Sequence, residues 1–193
     1  LHTYDSLNRL VLTLFPDGAS NTFRYDAGGR LRQASDPHGI TSIAHDSRDR
    51  VVAVTNSHGY AVGYAYDKAG NWTRLTYPDG STVAYQYDSL NRLTNIAEGG
   101  TATVAGFAYD PLNRRTRVAY GNGTRADYAY DSANRLTNLV HRVVASSALL
   151  GQFDYTCDPD GNRLTMSTAG IPNPGVHRYT HDPIGQLTAV DYP

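Results

Sequence analysis

Tyr87-Asp88-Ser89-Leu90-Asn91-Arg92-Leu93 occurs twice in this 193-residue chain, the first time as Tyr4-Asp5-Ser6-Leu7-Asn8-Arg9-Leu10. Looser copies run along its whole length. An aromatic residue, or a substitute for one, is followed by Asp at Tyr4-Asp5, Tyr25-Asp26, His45-Asp46, Tyr66-Asp67, Tyr87-Asp88, Tyr109-Asp110, Tyr130-Asp131, Cys157-Asp158 and His181-Asp182. The steps between copies are 21, 20, 21, 21, 22, 21, 27 and 24 residues. Recurrence at a near-constant period marks a repeat architecture. It predicts a single array over residues 1–193, with repeats starting near 4, 25, 45, 66, 87, 109, 130, 157 and 181.

Every copy has the same inner order. Four residues past the Tyr position stand Asn8, Gly29, Asp49, Gly70, Asn91, Asn113, Asn134, Gly161 and Gly185. These are the residue types that tolerate a left-handed backbone. The preceding Asp accepts main-chain N–H groups in an Asx-turn. Asp-x-x-(Asn/Gly) therefore reads as a tight hairpin loop, a type I turn closed by a left-handed residue. Period-two alternation flanks it: Val83, Tyr85 and Tyr87 fall on one face before the turn, and Leu10, Leu12 and Leu14 on one face after it. That alternation is a strand signal.

A second turn closes each unit. Phe15-Pro16-Asp17-Gly18 and Tyr77-Pro78-Asp79-Gly80 are near copies, with variants at Asp36-Pro37-His38-Gly39, Asn56-Ser57-His58-Gly59, Glu98-Gly99-Gly100 and Tyr120-Gly121-Asn122-Gly123. The unit is strand, turn, strand, turn, and the chain zigzags through about eighteen antiparallel strands, each near 20 Å long at about 3.3 Å per residue. Three stretches depart from the pattern. Asn71-Trp72 replaces Arg-Leu in the fourth unit. The eighth reads as carrying one added residue before Asn162-Arg163-Leu164. The long seventh step contains Leu139, Val140, Val143, Val144 and Ala148 at helical spacing. There a short helix competes with a lengthened hairpin turning near Ala145-Ser146-Ser147, and the strand-like flanks favour the hairpin. Ile171-Pro172-Asn173-Pro174-Gly175 reads as an extended surface loop.

Composition agrees with β-structure: fifteen Tyr and eighteen Gly, with only 18% charged residues and a net charge of −1. No basic excess points to nucleic acid, and no apolar run approaches the roughly 18 residues of a membrane-spanning helix. A single cysteine, Cys157, leaves no internal disulfide.

The motif Tyr-Asp-x-x-(Asn/Gly)-Arg-Leu, with Tyr-Pro-Asp-Gly between copies, closely resembles the YD repeat of Rhs proteins, and the resemblance runs from Tyr4 to the half-unit at Asp191-Tyr192-Pro193. The family includes bacterial polymorphic toxins, the cocoon-forming components of insecticidal toxin complexes, and teneurins. The resemblance implies an all-β fold of tandem antiparallel hairpins forming a curved or spiralling sheet, part of a hollow shell. Further YD repeats and an encapsulated toxin domain are the implied partners, and a secreted or cell-surface location is implied too. The family's autoproteolytic core has no match here, and both ends stop mid-pattern without a polar cap. The expectation is a partial stretch of a longer array that carries neither autoprotease nor toxin.

The repeat motif itself supplies the candidate functional residues, in structural roles: Tyr4, Asp5, Asn8 and Arg9; Tyr25, Asp26, Gly29 and Arg30; Tyr66, Asp67 and Gly70; Tyr87, Asp88, Asn91 and Arg92; Tyr109, Asp110, Asn113 and Arg114; Tyr130, Asp131, Asn134 and Arg135. Tyr and Leu positions are expected to pack into cross-strand ladders. The arginines are expected to stack on neighbouring Tyr rings or to pair with the Asp of an adjacent unit. No catalytic, cofactor or metal site is read from the chain: the histidines lack zinc-site spacing, Asp154, Asp158 and Asp160 do not have the spacing of a calcium loop, and Gly121-Asn122-Gly123 lacks the Lys-Ser/Thr of a phosphate loop. The leading functional expectation is a non-enzymatic wall segment that encloses cargo. Its alternatives are an extracellular adhesin or filament binding a partner or glycan through the repeat surface, and an enzyme.

Overall fold

The computed structural model describes residues 1–193, which form eighteen β-strands and no helix. They cluster into two compact units, Leu1–Asn91 with Glu98–Gly100, and Arg92–Ala97 with Thr101–Pro193. The first unit contains β1 (His2–Tyr4), β2 (Leu10–Leu14), β3 (Ser20–Tyr25), β4 (Leu31–Asp36), β5 (Gly39–His45), β6 (Val51–Thr55), β7 (Ala61–Tyr66), β8 (Trp72–Thr76) and β9 (Thr82–Tyr87). Each pairs antiparallel with the next in sequence. The second holds most of β10 (Leu93–Glu98), then β11 (Ala102–Tyr109), β12 (Arg115–Tyr120), β13 (Thr124–Tyr130), β14 (Leu136–Val143), β15 (Leu149–Cys157), β16 (Arg163–Ala169), β17 (Gly175–His181) and β18 (Leu187–Asp191). From β11 to β18 it is the same antiparallel meander.

The hairpin loops have the conformation that the residue types dictate. All nine positions four past the Tyr slot have positive φ, from 59° at Asn91 to 98° at Gly70. In the first corner the Asn8 N–H donates to the Asp5 carbonyl at 3.0 Å and the Asp5 N–H to the Arg9 carbonyl at 2.9 Å. That is a type I turn with a left-handed closing residue, a three-residue loop.

A bulge follows the turn. Tyr4 pairs with Leu10 but Thr3 with Leu12, so Val11 is passed over. Arg32, Val52, Thr73, Thr116, Thr137, Leu164 and Thr188 are passed over in the same way. An extra residue moves the rest of the strand to the opposite alternation. Leu10 therefore shares the side of Tyr4 while Leu12 takes that of Thr3, and the expectation of one face for Leu10, Leu12 and Leu14 is corrected.

Three expectations resolve as follows. Residues 139–148 are not helical: β14 and β15 run into a turn at 144–148, closed by Ser147 at φ 57° with the Val143 N–H on the Ala148 carbonyl at 2.9 Å. The apolar spacing arises because Leu139 and Val140 face opposite sides of a strand. The eighth corner has no added residue. Cys157 pairs with Arg163 as Tyr4 pairs with Leu10, so Asn162 fills the Arg slot and Arg163 the Leu slot. The surface loop is shorter than expected, since Gly175 already belongs to β17.

In the second unit the register separates two chemistries. Phe107, Val118, Ala126, Tyr128, Leu139, His141, Phe153, Tyr155, Met166 and Tyr179 share one side. The other carries Arg117, Asp127, Arg125, Asn138, Asp154 and Gln152, tied into two clusters: Asp127 accepts from Arg117 at 2.6 Å and Arg125 at 2.9 Å, and Asp154 from Asn138 at 2.5 Å and Gln152 at 2.7 Å. Buried side chains are small or few; Ala126 is 0% and Val118 3% exposed, and no large side chain is fully buried. Stability in such a layer comes from cross-strand pairs rather than from a deep core.

Candidate functional site

The repeated corner, and the junction it makes with the next repeat, is where polar chemistry concentrates. Each Asp organises its own loop. Asp5 Oδ1 accepts the main-chain N–H groups of Leu7 and Arg9 at 2.9 and 3.0 Å, and Oδ2 accepts Arg9 Nε at 2.7 Å. Asp26, Asp46, Asp110 and Asp131 repeat this with Arg30, Arg50, Arg114 and Arg135. The Arg is thus held by the Asp of its own turn. Pairing with an adjacent unit's Asp carboxylate is seen only in the special case of Asp49, which stands in a left-handed position and meets Arg30 at 2.7 Å.

The guanidinium's other edge reaches forward. Nη1 of Arg30, Arg50, Arg92 and Arg114 donates to the main-chain carbonyl of the next repeat's Asp, at 2.9, 2.9, 3.1 and 3.0 Å, and Arg135 donates likewise to Asp158. Arg92 and Arg114 also donate to the side-chain oxygens of Asn113 and Asn134. Meanwhile the guanidinium covers the next repeat's Tyr: Arg9 over Tyr25, Arg50 over Tyr66, Arg92 over Tyr109 and Arg114 over Tyr130, at 4.4–4.9 Å. The expected stacking is therefore seen. The expected pairing of Tyr with Leu positions across strands is seen too, with Tyr4 opposite Leu10, Tyr25 opposite Leu31 and Tyr130 opposite Leu136, while a whole strand and the stacked Arg lie between consecutive Tyr slots.

Each ring is also fixed at its far end. The hydroxyls of Tyr25, Tyr66, Tyr109 and Tyr130 donate to the carbonyls of Leu10, Val51, Leu93 and Arg115, one repeat back, at 2.8–2.9 Å. Tyr suits the slot because its ring packs while its hydroxyl bonds. At the fourth corner Asn71 takes the Arg slot, bonding Asp67 and reaching Asn91 at 2.9 Å. Tyr87, in the next corner, has its hydroxyl pKa raised, chiefly by burial and then by the Asp67 charge.

The corner carboxylates are held below their ordinary pKa. For Asp5 and Asp46 the first cause is the Arg side-chain bond; for Asp26 and Asp131 it is the Arg main-chain N–H. At Asp110 burial pushes upward most strongly, and the Arg114 main-chain and side-chain bonds, the Leu112 N–H and the Arg114 charge together hold it down. At Asp67 and Asp158 the Asn amide in the Arg slot leads.

The motif reading did not single out Arg115, in the Leu slot, which stacks on Tyr128 at 4.9 Å; Arg163, expected to stack on a neighbouring Tyr, lies in the same slot and does so on Tyr155 at 4.5 Å. A cation at the start of a strand, six residues after an aromatic slot, is the only sequence signal they carry.

A family model described as RHS Repeat matches residues 3–41, 45–82, 73–103 and 87–125, more than half of the chain. No curated protein matches it in sequence. Among solved structures the chain is similar to TcdB2-TccC3-TEV, at 15% identity and a TM-score of 0.70 over 98% of this chain and 13% of that one. It is similar to TcdB2-TccC3 without the hypervariable C-terminal region (16%, 0.68, 98% and 13%). A Photorhabdus luminescens Tc holotoxin pore gives 16% identity and 0.67, over 98% of this chain and 12% of that one. At these identities the likeness shows the fold, and the chain spans only a small part of the length of the structures it matches.

Proposed function

The chain belongs to the RHS repeat family and is a structural repeat segment, and on that premise we propose that it forms part of the wall of a larger shell that encloses a toxin or other cargo. The observation that carries this reading is the two-faced layer of the second unit. One side is aromatic and apolar, the other is bonded into charged and amide clusters, and neither is covered by a second layer. A wall between two different environments has that character. The corners support it, since Asp, Arg and Tyr are used up joining one repeat to the next. The similar TcdB2-TccC3 structures include one without a hypervariable C-terminal region, which fits a wall whose contents vary. Further YD repeats of a parent protein, and the cargo it encloses, are the partners of this reading, and a secreted or cell-surface setting is its location.

Limited proteolysis of the parent protein with its cargo tests the proposal. The cargo should survive a protease dose that digests it when expressed alone, and combined replacement of corner Tyr and Arg residues should abolish that protection. Equal digestion of the free and the associated cargo would overturn the reading.

A second reading, a surface protein binding a glycan, draws on an open cleft of about 610 Å³ lined by Tyr60, Tyr77, Pro78, Asp79 and Glu98. Exposed Tyr rings beside carboxylates suit sugar faces and hydroxyls. Glycan-array binding that is lost on Tyr60→Ala would favour it.

A further inference from the structure

The last junction departs from the others in a way that leaves a space. At five corners an Arg donates Nη1 to the carbonyl of the next repeat's Asp, and Arg30, Arg50, Arg114 and Arg135 also bond the Asp of their own turn. Three of those arginines also meet a side-chain oxygen on the next left-handed residue, Asp49, Asn113 or Asn134, at 2.7–3.0 Å. Between the eighth and ninth corners both contributors are truncated. Asn162 stands in the Arg slot and stops at Asp158 Oδ2, 2.9 Å away. Gly185 stands in the left-handed position without a side chain, and Asn162 Oδ1 lies against it, 3.2 Å from where a Cβ would stand. The fourth junction shows that one truncation alone is closed, because Asn71 reaches the Asn91 side chain at 2.9 Å.

The double truncation coincides with a cleft of about 730 Å³. Asp158, Asp160 and Asp182 line it, with His181 and Tyr179, and no Arg or Lys is among its walls. Arg163 is not among the walls; its guanidinium lies on the Tyr155 ring at 4.5 Å and beside the cleft-lining Tyr179 ring at 6.0 Å. His181, in the slot where Tyr25 or Tyr109 bonds backward, has a solvent-shielded Nδ1 with no hydrogen-bond partner. The space thus keeps the carboxylate of one corner and the carbonyl and aromatic slot of the next, and at Arg50, Arg92 and Arg114 a guanidinium meets both that carbonyl and that ring.

We propose that the cleft between the eighth and ninth corners is a receptor for a guanidinium group, presented as an arginine side chain by another polypeptide. The planar fork can take an Asp158 lone pair on one edge and the Asp182 carbonyl on the other while lying against the His181 ring. A lysine ammonium, a point charge without that fork, cannot span both. Asp160 adds negative charge at the rim.

The test titrates Nα-acetyl-arginine amide into the full chain, followed by amide NMR. Shifts should concentrate at Asp182, Ile184 and Gly185 and at the His181 ring. Asn162→Arg should fill the cleft from within, weakening binding at least roughly tenfold and raising the melting temperature. Asp160→Asn should weaken binding without changing the circular dichroism, and Asn71→Arg should leave it unchanged. Absence of localised shifts, equal binding by Nα-acetyl-lysine amide, or undiminished binding to Asn162→Arg would overturn the proposal. A misfolded Asn162→Arg would do so as well, because a cleft that receives a guanidinium there has room for an Arg in that slot.

Discussion

Removing one oxygen atom per junction tests how repeats are latched. In Tyr109→Phe the ring still fills its slot beneath Arg92, but the 2.8 Å bond to the Leu93 carbonyl is lost. A neutral hydrogen bond of this kind contributes about 1 kcal/mol net. The equivalent changes at Tyr25, Tyr66 and Tyr130 remove bonds of 2.9, 2.8 and 2.9 Å. Sites this far apart add within a few tenths of a kcal/mol, so the quadruple variant should lose about 4 kcal/mol. That is a large share of the roughly 5–15 kcal/mol by which a domain is stable. Each single change should lower the melting temperature by about 2–4 °C. Tyr120→Phe is the control: its ring is 39% exposed and its hydroxyl makes no bond. Urea and thermal unfolding, followed by circular dichroism and Trp72 fluorescence, read the effect. If the quadruple variant stayed within about 0.5 kcal/mol of the parent, the size expected of a neutral surface change, the hydroxyl bonds would not be latches.

Acid should unfold the chain through its corners. The folded carboxylates of Asp5, Asp26, Asp46 and Asp131 titrate below the unfolded value of about 3.9, so the folded state binds fewer protons in that window. Their contribution is fully present above the unfolded pKa and is lost as pH falls through the folded values; stability that stayed flat from pH 5 to pH 2 would contradict this. Gly80→Ala meets no atom within 4 Å but sits at φ +83°, so it should cost about 1–2 kcal/mol from backbone strain alone, whereas Gly63→Ala, which lacks a positive φ, should not carry that cost; thermal melts separate the two. Ala126→Leu, at a 0% exposed position, should cost about 1–3 kcal/mol by overpacking, measured by urea midpoint.

The strands and left-handed corners were legible because each depends on local chemistry. Asn or Gly four past an aromatic residue admits few backbone conformations, and Val-x-Tyr-x-Tyr alternates in plain view. The bulge past each corner was not legible. Val11, Arg32 and Thr116 share no residue type, since an extra residue in the ladder shows only against its partner strand. For the same reason Leu10 and Leu12 were placed on one face. The Arg contacts were half legible: stacking on Tyr follows from residue type, but the choice between the Asp of the same loop and that of the next depends on where the loop points Nε. Counting from the Tyr slot rather than from the letter Arg would have placed Asn162 correctly.

Corner arginines are fixed by the carboxylate of their own turn and by the carbonyl or the ring of the next repeat. Exchange of the Arg Nε–H protons, resolved by NMR, tests it most directly. Those of Arg9, Arg30, Arg50, Arg114 and Arg135, each donating to a carboxylate at 2.7–2.8 Å, should exchange far more slowly than those of Arg24, Arg32 and Arg74. Equal exchange across both groups would contradict it.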